Sequence, residues 1–198
     1  MNLKEVPWKV TLSNSLEINF CNGVILDHST VLILSNCYKQ SKDKNHLMVA
    51  TQVDGQHIEV TEIVLRDDLA VLKLKHALYI SQHVQPICLA SSGLKRSTST
   101  PSKCFYSDWG NSSETKWSTS LTVEEANSDF GGLHICLENN VPVLTGIASI
   151  VQNEYGRRST SYANVLQNRN WIESQMVITI IKYDQISSKQ FYFSLSVT

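Results

Sequence analysis

Short apolar or alternating runs follow one another along the first half of the chain, at residues 9–12, 23–26, 31–34, 46–52, 57–65 and 69–74. Residues 144–151 add another far downstream. Runs of this length, rich in Val, Ile and Leu and bounded by turn signals, predict β-strands. Asp54-Gly55 and Asn22-Gly23 read as turns between them, and the apolar stripes read as sheet core. The class predicted is all-β, as a sandwich or barrel. One stretch breaks the pattern: over 162–175, Val165, Leu166 and Trp171-Ile172 give a 3.6-residue stripe and predict a helix. Residues 39–45 and the Ser-, Thr- and Lys-rich 91–102 read as surface loops, the second joining two halves of the molecule. Residues 177–198 form a β-prone tail with no evident pairing partner, and there is no internal repeat.

Composition narrows the function classes. The 198 residues leave room for one domain, or for two small lobes sharing a core. A net charge of −1 gives no electrostatic case for nucleic acid or an anionic membrane as partner. No apolar run approaches the ~18 residues a membrane span requires. The opening MNLKEVPWKV lacks the apolar stretch of a signal peptide, so secretion is expected only if a leader is supplied from elsewhere. The cysteines, at 21, 37, 88, 104 and 136, show neither Cys-x-x-Cys nor zinc-ligand spacing, so no metal and no cofactor is expected. Disulfides in an oxidising compartment are the better reading, and the odd count leaves one thiol over. His28, His46, His57, His76, His83 and His134 are scattered without an acid or Cys at catalytic spacing, and read as solvated or structural. Asn111-Ser112-Ser113 is a glycosylation sequon if the chain is exported.

The order of local motifs from residue 7 to about 176 resembles the trypsin/chymotrypsin family of serine proteases. Pro7-Trp8-Lys9-Val10 looks like its opening strand, and FCNGVIL at 20–26 like its first disulfide strand. VLILSNC at 31–37 is similar to the segment bearing the catalytic His, and DDLAVLKL at 67–74 to that bearing the Asp. QPICLA at 85–90, CFYSDWG at 104–110, SDFGGLHIC at 128–136, VLTGIAS at 143–149 and Trp171-Ile172 follow in family order. The resemblance implies two six-stranded antiparallel β-barrel lobes, over about 7–90 and 103–176, with a C-terminal helix. It also implies disulfides Cys21–Cys37 and Cys104–Cys136. Cys88 then either holds a separate light chain or is a buried free thiol. Within the family the likeness leans toward the coagulation-factor branch, on residues 10–37.

Carried onto this chain, the family's Ser-His-Asp triad is degenerate. The His position holds Asn36, whose carboxamide accepts no proton near neutral pH and cannot act as a general base. The Ser position holds Phe130, which has no nucleophilic atom. Asp68 stands alone at the third. Ser128 occupies the oxyanion-loop position where the family has Gly, and Asp129 is the acid that would receive a freed Ile-type N-terminus, which the opening residues do not offer. Asp68 is expected either to accept a hydrogen bond from the Asn36 amide or to be solvated.

Between Trp109 and Phe130 lie only 20 residues, 110–129, where the family carries much more, so the second lobe is expected to be truncated between 110 and 128. In simple alignment Glu124 falls where trypsins carry their pocket carboxylate, but the deletion removes its context. Three functions compete. The first is a pseudoprotease that works by binding a protein: an inhibitor, a protease or coagulation-type factor, or a light chain through Cys88. The second is a truncated, non-functional isoform, and the third an enzyme rewired around Ser128.

Overall fold

The computed structural model describes residues 6–91, 104–107, 116–118, 131–152 and 158–176. Ser128, Asp129, Phe130, Asn111, Glu124 and the 177–198 tail all lie outside the described residues.

The first lobe is a closed barrel of β1 Lys9–Ser13, β2 Cys21–Asp27, β3 Thr30–Leu34, β4 Met48–Thr51, β5 His57–Arg66 and β6 Leu69–Leu74, in the order β1-β2-β3-β6-β5-β4. Antiparallel pairing of β1 with β4, with Val10 opposite Thr51, closes the ring and leaves no edge. In β1, Val10 and Leu12 point inward and their neighbours outward, the two-residue period expected of a half-buried strand. β3 and β6 are buried at every position, which explains their unbroken apolar sequence.

Asn22-Gly23, read from sequence as a turn, lies inside β2. Gly is required there by space: an added Cβ would meet Val31 Cγ1 at 2.8 Å and Ile33 Cγ2 at 2.9 Å. Asp54-Gly55 does fall between β4 and β5, with Gly55 at a left-handed φ of 61°.

The segment after β3 differs from expectation in another way. Residues 35–40, partly assigned to a surface loop, form the short helix α1 Ser35–Gln40. Its start is tied across the barrel, because Ser35 donates its N–H to the Asp68 carbonyl (2.8 Å) and its hydroxyl to the Asp67 carbonyl (2.8 Å).

The second lobe is a six-stranded sheet of β7 Cys88–Leu89, β8 Cys104–Ser107, β9 Lys116–Ser118, β10 Leu133–Glu138, β11 Val141–Gln152 and β12 Arg158–Asn164. Its order is β12-β11-β10-β8-β9, with β7 alongside β11 in parallel. Asn139 and Asn140, at φ 52° and 64°, make the two-residue turn between β10 and β11, a left-handed pair that Asn tolerates. The helix predicted over 162–175 begins later than expected. Tyr162, Ala163 and Asn164 pair with Ala148, Ile147 and Gly146 as the end of β12, and the helix α2 starts at 169 and is described as far as 176. A partner strand remote in sequence outweighs the local helical stripe.

One core serves both lobes. Phe105, Leu133, Ile135, Leu144, Ile147, Val165 and Ile172, each at most 1% exposed, join the barrel's interior residues in a single cluster. Full burial of each such side chain contributes roughly 1.5–3 kcal/mol. α2 fastens the lobes together. Arg169 donates to the Ala90 carbonyl (2.6 Å), Trp171 lies under the Arg66 guanidinium (5.7 Å to the ring centre), and Lys73 Nζ donates to the Gln175 carbonyl. Among the described residues no helix is long and apolar enough to cross a membrane.

Candidate functional site

The residues expected from sequence at the triad positions lie in three places along the chain. Asn36 rides on α1, Asp68 sits in the turn between β5 and β6, and Phe130 immediately precedes Gly131, which opens the segment leading into β10. Successive residues of a helix point about 100° apart. In α1, Cys37 faces inward and is disulfide-bonded to Cys21 at the start of β2, so Asn36 beside it faces solvent. Asp67 and Asp68 form the two-residue turn joining Arg66 to its partner Leu69, with Asp67 at a left-handed φ of 50°. Asp68 is exposed there.

The hydrogen bond expected as one alternative, from the Asn36 amide to a buried Asp68 carboxylate, is not made. Both side chains are exposed and nothing joins them. The backbone of Asp68 is held by Ser35, but its carboxylate is left to water. An exposed carboxylate keeps its hydration, so no protein donor is needed to offset burial.

On the other side, Gly131 and Gly132 are buried and pinned to β11. Gly131 donates to the Ala148 carbonyl (2.8 Å) and Ala148 donates to the Gly132 carbonyl (2.7 Å). Gly131 has φ 88°, a conformation that side-chain-bearing residues resist. The residue after position 130 is therefore fixed to the sheet.

Cys104 and Cys136, directly opposite each other on β8 and β10, form the second disulfide. Cys88 is a free cysteine on the surface, not a buried one.

A cluster that sequence reasoning passed over surrounds the second disulfide. His134 precedes Cys136 by two residues on β10 and so shares its face of the strand. The β10–β11 register slips between His134 and Ile135, leaving Thr145 unpaired opposite them. The Thr145 hydroxyl donates to the His134 carbonyl (2.9 Å) and also meets His134 Nδ1 (2.5 Å). A hydroxyl has one proton, so in the second contact Nδ1 is the donor. The ring stacks obliquely on Tyr162, with centres 5.5 Å apart. Burial holds the imidazole below its ordinary pKa of 6.5. The Cys104 and Cys136 sulfurs and a ring nitrogen all lie within 4.8 Å of one another. The only signal in the sequence was the alternation His134-x-Cys136, meaningless until the fold places Cys104 across from it.

The Trypsin family profile matches residues 2–130. The chain belongs to the trypsin family. Among curated members it is 29% identical to trypsin II-P29 of Gallus gallus over 118 residues, which span 54% of this chain and 45% of that protein. It is 28% identical over 125 residues to coagulation factor XI of Bos taurus, across 54% of this chain and 20% of that protein. The chain thus spans less than half the length of these relatives. The fold of kallikrein-related peptidase 10 is similar, with a TM-score of 0.63 at 20% identity, over 87% of this chain and 96% of that one. The barrel, α1 and the Asp68 turn all lie within the residues that the family profile matches.

Proposed function

We propose that this trypsin-family chain is non-catalytic and acts by binding a protein. The observation that carries the reading is Asn36, a carboxamide on α1 that the sequence resemblance assigns to the family's general-base position. It is exposed and not hydrogen-bonded to Asp68. The Asn36 carboxamide cannot take a nucleophile's proton, and the Phe130 side chain is no nucleophile. A rigid double lobe keeps its surface loops in place after the chemistry is gone, and such loops are where binding resides. The partner class that best fits is a protease inhibitor, a coagulation-type protease, or a light chain disulfide-bonded through the exposed Cys88. The likeness of residues 10–37 to the coagulation-factor branch, which includes the inactive vitamin K-dependent protein Z, points the same way. The two disulfides suit an oxidising, extracellular compartment.

The test combines turnover with folding. Purified chain is assayed on chromogenic peptide amides and with an organophosphate label, and hydrogen exchange is followed by segment. Protection of both 21–90 and 131–176, with blank-level turnover and no label, supports the reading. Turnover above the blank that disappears in Ser128→Ala would overturn it in favour of a rewired enzyme. Protection of the barrel alone would mark the chain as a non-functional isoform.

A further inference from the structure

We infer that the loop between β1 and β2 and the loop after α1 together form a docking surface for an acidic segment of a partner protein that also carries aliphatic residues. The inference rests on the reading that the chain acts by binding a protein, and gives that reading a surface and a ligand chemistry.

Two large apolar side chains stand in water on the first loop. Leu16 and Ile18 are 69% and 86% exposed. A single exposed aliphatic residue is ordinary on a protein surface, but these two flank one anchored residue. Glu17, between them, is tied to the second loop, where its carboxylate accepts from the Lys42 backbone N–H (2.9 Å). Asn14 holds the turn from below: its Oδ1 accepts from the N–H groups of Leu16 (2.9 Å) and Glu17 (2.7 Å), and its Nδ2 donates to the Asp43 carbonyl (2.7 Å). The Ser15 hydroxyl donates to the Asp43 carboxylate. The two loops are therefore one unit. The aliphatic pair is presented without the ordering cost that a loose loop incurs on binding.

Charge completes the surface. Lys42 and Lys44 are exposed on the second loop, and exposed Lys39 precedes them in the last turn of α1. Among the described residues, the ion pairs formed by Lys and Arg side chains engage Arg66, Lys75 and Arg169 rather than these three. Lys44 Nζ lies 5.3 Å from the centre of the Tyr38 ring, which places it beside α1. The nearby acids are already engaged, Glu17 by the Lys42 N–H and Asp43 by Ser15 and the Asn45 N–H (2.8 Å). Their oxygens serve the loop pair, whereas the ammonium groups are left for carboxylates of another chain.

Apolar contacts bordered by charge are the layout of a protein–protein interface. An evenly charged polyanion fits less well, because Glu17 and Asp43 lie in the same loops and would repel a sulfated polysaccharide or an anionic lipid sheet. A peptide can set its carboxylates against the lysines and an aliphatic residue against Leu16 and Ile18.

The test uses the full chain, with a fluorescein-labelled synthetic peptide of alternating glutamate and leucine as the probe and anisotropy as the readout. Saturable binding is expected, and it should weaken as ionic strength rises from ~0.05 M to ~0.3 M because the lysines are exposed. Ile18→Ser should weaken it about 10-fold, and so should Lys42→Glu combined with Lys44→Glu. Neither change touches a buried group, so circular dichroism and melting temperature should match the parent. The same peptide with glutamine for glutamate should bind about 10-fold more weakly. Absent binding, or binding unchanged in Ile18→Ser or in the double lysine variant, would overturn the surface. Heparin and phosphatidylserine vesicles are run alongside, and tighter binding to either than to the peptide, lost in the lysine variant, would overturn it too. Failure here is separable from failure of the reading beneath it. Blank-level turnover without peptide binding removes this surface alone, whereas turnover above the blank removes the non-catalytic reading whatever the peptide does.

Discussion

Replacing Lys73 with Met tests how the first lobe holds the last helix. Lys73 lies on β6 at 6% exposure, and its ammonium donates to the carbonyl of Gln175 in α2, 102 residues away in sequence. Met preserves most of the buried stem, which leaves packing nearly intact. What is lost includes a hydrogen bond from a charged donor, worth about 1.5–3 kcal/mol. What is regained is the cost of keeping an ammonium out of water, several kcal/mol when unpaired but less here. The net expectation is a loss of about 1–3 kcal/mol, or roughly 5- to 150-fold in the opening equilibrium of the helix. Native-state hydrogen exchange on 171–176 reads this directly, with amides of β3 as an internal reference. Faster exchange confined to α2 is expected at first, with global stability in urea reduced by no more than the same amount. Exchange in α2 unchanged within twofold, or a gain in urea stability, would refute the reasoning.

Two further outcomes follow from the barrel and its surface acids. Gly23→Ala should cost about 1–3 kcal/mol, because the new methyl cannot enter between Val31 and Ile33 without displacing strands of a closed ring, and an unchanged melting temperature would contradict this. Acid should weaken the fold through Glu17, Asp43, Glu59 and Glu138, each held below its ordinary carboxylate pKa. The leading causes are the Lys42 backbone N–H, the Ser15 hydroxyl, the Lys75 ammonium and the Ser91 hydroxyl, in that order. The unfolded chain binds more protons in this range, so stability is complete above about pH 4.5 and falls as pH drops through the folded values. Urea midpoints measured between pH 6 and pH 3 should therefore decline, and Glu17→Gln should flatten the decline; a decline as steep as in the parent would exclude Glu17 as a contributor.

Much of the barrel is legible in the residues. The alternation in β1, the unbroken apolar runs of β3 and β6 and the Asp-Gly turn before β5 are local signals, and each states which face of a strand meets the core. That neither Asn36 nor Phe130 can act as a base or a nucleophile in any conformation is equally a matter of residue identity, and their assignment to the reacting positions belongs to the proposal. Other features belong to contacts between distant segments. Gly23 is strand rather than turn because Val10, Val31 and Ile33 crowd it, and Tyr162–Asn164 is strand rather than helix because β11 offers backbone partners. Asp68 is exposed because a two-residue turn carries it beyond the barrel. The meeting of Cys104, His134, Cys136 and Thr145 depends on the register of three strands and one bulge. The sequence by itself determined strand character, because that depends on side-chain type and near-neighbour spacing. Tertiary structure alone decided which remote donors share a sphere, because register is set by burying both lobes' apolar faces at once.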